Sequence, residues 1–532
     1  MTEFSLADWM VVVGYLVILA MFGWFFSRKG ASSSRDYFLG GNEMSLWLVT
    51  ISVLATTQSA ATFLGGPDYG YRGDYTYLST FIGAFLAAVF VAKILVPRFY
   101  AIRATTVYEL LAVKFGDRAT KAAGAMYLVG RVFANGARLY MAAIAVSMIL
   151  FADVAATSVI TASFAIVLLG FVFTFVGGIR SVIWSDFIQF LIYAGAAIGV
   201  LIYLRMQIPL PFVDILDALA NTPSGQNKLT LIDFSFSFSQ PFSIWAVGTG
   251  VFLLYVGNFG LDQDTTQRLL SCKDEKGGGK AIIFSVLIAI PLVWVFVSIG
   301  ELLHIFYERP DLMARADTMS VASEFQGETI TVFMFYILSE IPSGLRGLVT
   351  VGVLAAAIST LNSGLNSMSS VLIEDFYRPW IERRRKLAPS HFVNAGRIGM
   401  AAFALSLFLM SAICFYWQRY AQMPLLEFAL SVMTFAYAGL LGVFFVAVFT
   451  NRGSANSVIA ALIIGFFVIL AQQAFMIDIL GLPEAMKNIA FPWKLCVGVI
   501  VAAIVCSIGK TNERQPVEDK PVARMSRKRF DD

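Results

Sequence analysis

Charge is scarce in this sequence. Only 14% of its 532 residues are Asp, Glu, Lys or Arg, against about 25% in an ordinary soluble domain. Histidine is scarcer still: His304 and His391 are the only two, and they cannot form an HExxH zinc helix. The four cysteines, Cys272, Cys414, Cys496 and Cys506, form no CxxC pair and call for no disulfide partner. No GxxxxGK(S/T) phosphate loop occurs, because Ala281 follows Lys280 where Ser or Thr is required. A net charge of +4 on a chain of this kind leaves no footprint for nucleic acid. There is neither a GxGD carboxylate pair nor a Cys–His couple at one depth, so no enzyme is expected.

Apolar residues fill the space instead. They make up 58% of the chain, and mean hydropathy is +0.74. Runs of about twenty such residues follow one another from near Asp8 to near Gly509, each long enough for the roughly 30 Å hydrocarbon core of a bilayer. The chain is therefore read as an all-α polytopic membrane protein whose solvent is the lipid bilayer. Thirteen transmembrane helices are predicted, near 8–27, 46–66, 78–101, 121–151, 157–177, 181–204, 242–268, 281–306, 344–371, 392–417, 425–449, 456–477 and 490–508. Glu3 and Asp8 stand where a cleavable leader would be basic, so the first run is expected to stay as a helix over 1–27.

Lysine and arginine sort between alternate gaps. Arg28, Lys29 and Arg35, then Lys93 to Arg118, then Lys273, Lys276 and Lys280, then Arg383 to Lys386, all fall on one side. The positive-inside rule makes that side cytoplasmic, with the N-terminus outside and the C-terminus inside a multi-pass cell-membrane protein. Two long gaps, 207–240 and 308–343, fall outside, and the second is expected to carry a short helix over 329–338. Residues 509–532 read as a disordered cytoplasmic tail with no room for an output domain, and no obligate protein partner is indicated.

Polar residues cluster where lipid makes them costly. The second run carries Thr50, Ser52, Thr56, Thr57, Gln58, Ser59 and Thr62 before Gly65-Gly66-Pro67. The seventh carries Gly257-Asn258, then Asp262-Gln263-Asp264-Thr265-Thr266-Gln267-Arg268. Both suit helices interrupted near the midplane, and five spans separate them, the spacing of two inverted five-helix repeats. The repeats would cover 46–204 and 242–449, with 456–508 adding two C-terminal helices. In the ninth run Ser359, Ser363, Asn366 and Ser370 share a narrow helical face. Hydroxyl and carbonyl oxygens without carboxylate suit a monovalent cation, since magnesium or zinc would want ligands missing here.

These residues resemble the sodium/solute symporters, the family of sodium-coupled sugar, proline, sialic acid, iodide and vitamin carriers. The likeness spans about 8–510. It rests on Ser52–Gly65, on Phe175-Val-Gly-Gly-Ile-Arg-Ser181 with Trp184-Ser-Asp186, on Asp262–Arg268, and on Ala355–Ser367 running into Glu374-Asp375-Phe376-Tyr377. The resemblance implies sodium as coupling ion, held by the carbonyls of Ala55, Gln58 and Ala356 and the hydroxyls of Ser359 and Thr360. Some members hold a second sodium nearby, and there Asp186, Ser359 and Ser363 match, with Asn362 where those members tend to have serine.

For the solute, Arg131, Asn135 and Arg138 share one face of the fourth span. Each buried arginine costs about 2.5–3.5 kcal/mol unless paired or hydrated. Their partners are either Asp186, Asp262 and Asp264 or an anionic substrate. Sialic acid carriers of the family use an arginine on this helix, which aligns nearest Ala134 or Asn135. The bacterial sugar branch fits less well, with Phe81 and Leu287 where it has an acid and a lysine, although Tyr255 and Asn258 match. Thr57, Ser59, Thr62, Asn258 and Asp262 complete the expected substrate set. The reading is a sodium-coupled symporter importing a small polar organic solute by alternating access, a carboxylate such as a sialic acid or other organic anion being favoured. A sodium-coupled sugar carrier, a proton-coupled carrier using Asp262 and Asp264, and a passive channel are the alternatives.

Overall fold

Each of the thirteen predicted runs is helical in the computed structural model, which describes residues 4–27, 34–313, 324–325, 328–329, 331–385, 387–421 and 425–510. Helix is what lipid demands, because every backbone N–H and C=O must find its partner within the segment. The main helices are α1 (Leu6–Ser27), α2 (Leu46–Thr57), α3 (Ala60–Arg72), α4 (Tyr75–Ala101), α5 (Asp117–Phe151) and α6 (Ala156–Gln207). Then come α7 (Phe212–Ala220), α8 (Ile244–Leu261), α9 (Gln263–Leu270), α10 (Glu275–Glu308), α11 (Val332–Ser339) and α12 (Leu345–Val371). The last are α13 (Pro389–Ala421), α14 (Leu425–Phe449), α15 (Ala455–Ala471), α16 (Ala474–Leu480) and α17 (Phe491–Ile508). Among the described residues nine helices are long and apolar enough to cross a bilayer, or eleven if each bent pair is one span.

Three differences from the expected spans have physical causes. The predicted spans 157–177 and 181–204 run together as the 52-residue α6. That stretch bends back on itself. Gly170 lies against Leu361, and Asp186 bonds Ser359 two positions away, whereas sixteen straight helical residues would separate them by about 24 Å. The predicted span 456–477 is broken into α15 and α16, turned by 86°, because Gln472 and Gln473 fall at the end of its apolar run. The long gap 207–240, expected to lie outside, is partly structured. It contains the amphipathic α7, which buries Ile215 and Leu219. It also sends Lys228 inward, where Nζ donates to the carbonyls of Gly70 (3.0 Å) and Tyr71 (3.1 Å) and lies 3.4 Å from Glu301.

The short helix expected over 329–338 is present as α11. Arg28, Lys29, Lys386 and the tail 511–532 lie outside the described residues.

At the centre, α12 is buried along almost its whole length and packs most extensively on α6. Small residues permit the approach, Gly352 lying against Ala196 and Phe63. α3 and α10 come closer still. A Cβ on Gly300 would lie 2.0 Å from the Pro67 carbonyl oxygen, so that crossing admits glycine alone.

Candidate functional site

Two interruptions organise the interior. α2 stops at Thr57, Gln58 and Ser59 are extended (ψ 131° and 173°), and α3 resumes at Ala60 after a 64° turn. The break falls here rather than at Gly65-Gly66-Pro67, which stay helical. Likewise α8 stops at Leu261, Asp262 is extended, and α9 begins at Gln263. Both helices expected to be broken are broken.

Beside the first break, Ala55, Gln58, Ala356 and Ser359 line one small cavity with Gln189, Phe190 and Tyr193. It offers about 10 Å³ to the centre of a water-sized sphere, roughly the room of one water. Ser359 Oγ lies 3.5 Å from the Ala55 carbonyl oxygen, and Thr360 Oγ1 donates to the Ala356 carbonyl at 3.0 Å. Four of the five residues expected to hold sodium thus face one void, and the fifth is tied to one of them. Gln58 Oε1, buried there, has no hydrogen-bond partner. The oxygens fit a bare monovalent cation.

A larger cavity lies on the other side of the same break. Thr57, Gln58, Ser59, Thr62, Arg138 and Asn258 supply its polar wall, and Tyr77, Phe81, Tyr255, Phe259 and Met433 much of the rest. It offers about 60 Å³ to the same sphere. Gln58 lines both cavities, which therefore share a wall. Arg138 is buried, and among the described residues its polar contact is Nη2 to Met433 Sδ at 3.2 Å. Among the described residues no carboxylate lies within ion-pair distance of it.

Arg131, Asn135 and Asp262 do not line this cavity. Arg131 Nη1 donates to Asp262 Oδ2 at 2.6 Å, and its Nη2 bonds Asp264. Asp264 Oδ1 also accepts from Arg268 Nη1 at 3.1 Å. Asn135 packs against Gly364 of α12. Asp186 is wholly buried, with Oδ1 accepting from Ser359 Oγ (2.6 Å) and Oδ2 from Arg268 Nη2 (2.9 Å). Ser363 Oγ meets the same arginine at 2.5 Å. The side chain of Asn362 turns the other way, its amide 2.7 Å from Thr174 Oγ1.

The comparisons with known proteins agree with this architecture. Residues 37–465 match the sodium:solute symporter family. The chain belongs to that family. Among its relatives are the sodium/sialic acid symporters of Proteus mirabilis (24% identical, covering 88% of this chain and 90% of the relative) and Aliivibrio fischeri (25%, 88% and 88%). The mouse sodium-coupled monocarboxylate transporter 2 is 27% identical over 71% of this chain and 58% of its own. In three dimensions the chain resembles a substrate-bound, outward-open sodium-coupled sialic acid symporter, with TM-score 0.77, 23% identity and coverage of 95% and 98%. The protein is a multi-pass sodium-coupled transporter and not an enzyme.

Three residues of this symporter's interior escaped the sequence reading. Tyr437 of α14 places its hydroxyl 2.7 Å from Asp262 Oδ2 and 3.4 Å from Asn258 Oδ1. Nothing in its apolar surroundings singled it out. Glu301 and Lys228 form a buried ion pair, and a lone glutamate within the eighth span was a usable signal.

Proposed function

We propose that this symporter couples sodium to the import of a small carboxylate, seated with its charge on Arg138. The observation that carries this reading is the buried guanidinium of Arg138, which faces the central cavity without a carboxylate of its own. Planar guanidinium suits a carboxylate bidentately. Thr57, Ser59, Thr62 and Asn258 then meet the rest of the solute, while Arg131, Asn135 and Asp262 hold the helices around it. Relatives named for sialic acid and monocarboxylate transport support a carboxylate substrate. A polyhydroxylated acid is the second reading, favoured by the neutral polar side chains along one wall.

Sodium at Ala55, Gln58, Ala356, Ser359 and Thr360 steadies the junction of α2, α3 and α12 in the outward-open state. Substrate closes the outer gate through the shared residue Gln58, and loss of sodium to the cytoplasm releases both. In the same reading thirteen helices cross the membrane as an added first helix, two inverted repeats over 46–204 and 242–449, and two closing helices over 456–508. The alternating basic gaps put the N-terminus outside and the C-terminus in the cytoplasm.

The test is thermal unfolding of purified protein in sodium against choline, with short monocarboxylates, sialic acid and hexoses as ligands, followed by uptake into proteoliposomes. A sodium-dependent rise deepened by a carboxylate, and lost in Arg138→Gln, is expected. Saturable uptake of a neutral hexose, unaffected by carboxylates, would overturn it.

A further inference from the structure

We infer that this protein carries a second binding site, separate from the solute cavity, for a neutral apolar alcohol whose hydroxyl donates to Glu301. The site is a cavity between α6, α7 and α10. It offers about 330 Å³ to the centre of a water-sized sphere, several times the 60 Å³ of the solute cavity. No residue lines both. That size, in a mostly apolar wall, is the size of a small-molecule pocket, and close-packed interiors rarely leave such a void. Leu201 of α6, Ile215, Leu216 and Leu219 of α7, and Trp294 and Leu302 of α10 make the walls. Trp294 is 45% exposed and Leu216 37%, so the cavity opens at the surface of the helix bundle.

One polar group in that wall lacks donors. Glu301 is wholly buried, and neither carboxylate oxygen accepts a hydrogen bond; Lys228 Nζ stands 3.4 Å from Oε2. Lys228 is turned instead to the carbonyls of Gly70, Tyr71 and Gly73. The other polar side chains of the wall are engaged. Ser298 Oγ and the Tyr75 hydroxyl bond each other at 2.8 Å, and Arg205 donates to the Ile208 and Leu210 carbonyls. A buried acceptor short of donors is costly. Water can cap the two oxygens, but a void with apolar walls stays dry and admits an apolar guest.

Charge selects the head group of that guest. Arg205 lines the cavity and Lys228 already stands beside Glu301, two cations to one carboxylate. An ammonium would add a third cation, and an acid would set its own carboxylate against Glu301. A hydroxyl supplies the missing donor and adds no charge. Position then links the site to transport. Glu301 follows Gly300, where α10 meets α3, and Lys228 joins this carboxylate to the last turn of α3. Occupancy thus bears on the helix that carries Thr62 without competing for the solute.

The experiment follows quenching of Trp294 in full-length protein reconstituted into phosphatidylcholine nanodiscs, with Trp294→Phe as the blank. The probe is para-bromobenzyl alcohol, whose bromine quenches a tryptophan that it touches. Para-bromotoluene lacks the hydroxyl, and para-bromobenzylamine adds a charge. Saturable quenching by the alcohol is expected, with bromotoluene about tenfold weaker or more, the difference that a hydrogen bond to a charged group makes. The amine should also bind more weakly than the alcohol. Glu301→Gln should bring the alcohol and bromotoluene together. Leu302→Phe narrows the cavity, leaves the ion pair in place and should weaken all three. Should the glutamine variant fail to fold, the wild-type series and Leu302→Phe still decide. Equal, unsaturating quenching by the three probes would mean that they only dissolve in the bilayer, and would overturn the inference. So would an amine that binds tightest, or saturable quenching undiminished in Trp294→Phe. Displacement of the alcohol by a carboxylate in sodium would place it in the solute cavity and overturn the inference too. None of these readings uses transport, so their failure leaves the carboxylate reading standing.

Discussion

The two helix breaks sit at corresponding places in the proposed repeats, yet they have diverged. At the first, Gln58 and Ser59 expose neutral side chains to two cavities, and Ser59 caps α3 without a side-chain hydrogen bond. At the second, Asp262 caps α9 through the Asp264 N–H, accepts from Arg131 and meets Tyr437. All eight residues of α9 are buried. Gln263 grips the chain at Val107 and Gln267 the carbonyl of Phe38. One break is left open for ligands, and the other is welded by charge. Transport of a solute past a midplane site needs both: a loose wall that ion and substrate can tighten, and a rigid wall against which they do so.

The comparison breaks most visibly under alanine. Asp262→Ala leaves Arg131 half-paired in a buried site, and loss of one partner from such a pair costs about 3–5 kcal/mol. Ser59→Ala at the open break should cost well under 1 kcal/mol, because no cap bond is lost. Urea or thermal unfolding in a fixed detergent measures both. Equal losses at the two positions would remove the contrast.

The two arginines of α5 sharpen it next. Arg131→Gln should destabilise the protein by several kcal/mol, since it takes away the cation paired with buried Asp262 and one of the two on Asp264. Arg138→Gln should leave the melting temperature unchanged or raise it, because an unpaired buried charge is removed. Its carboxylate affinity should nevertheless fall about 10- to 150-fold, the worth of a hydrogen bond to a charged group. Isothermal binding of the best carboxylate, set beside the melting curves, separates the two roles. Ser359→Ala belongs to the same scale for sodium: about tenfold weaker stabilisation by sodium is expected, on top of a lower melting temperature in choline, because the buried Asp186 Oδ1 loses a hydrogen bond.

Much of this was legible beforehand, for reasons that differ by region. Span positions follow from the bilayer's demand for long apolar helices, and the presence of a break in the second span, though not its place at Gln58, from a density of Ser and Thr that no lipid-facing helix tolerates. The roles of Arg131 and Arg138 were not legible. Their shared face was plain, but seven residues set them about 10 Å apart along α5, and the carboxylates that claim one of them lie some 130 positions later in the chain. Separation in sequence likewise hid Lys228 from Glu301 and Tyr437 from Asp262. Local pattern tells which residues lipid cannot accept. Only the packed chain tells which of them are already satisfied and which still await a ligand.

That distinction reaches its finest grain at Thr62. It lies in the first turn of α3, on the open side, and lines the central cavity opposite Asn258. Thr62→Val keeps the shape and removes one hydroxyl. A neutral hydrogen bond contributes about 0.5–1.5 kcal/mol, so the affinity for a hydroxylated carboxylate should fall about 2- to 12-fold. A plain carboxylate of the same length should bind as before, because its charge is met by Arg138 alone. If both acids weaken equally and the melting temperature falls with them, Thr62 is part of the packing of α3 rather than of the solute site. If only the hydroxylated acid weakens, the open break reads the solute's hydroxyls while the arginine reads its charge.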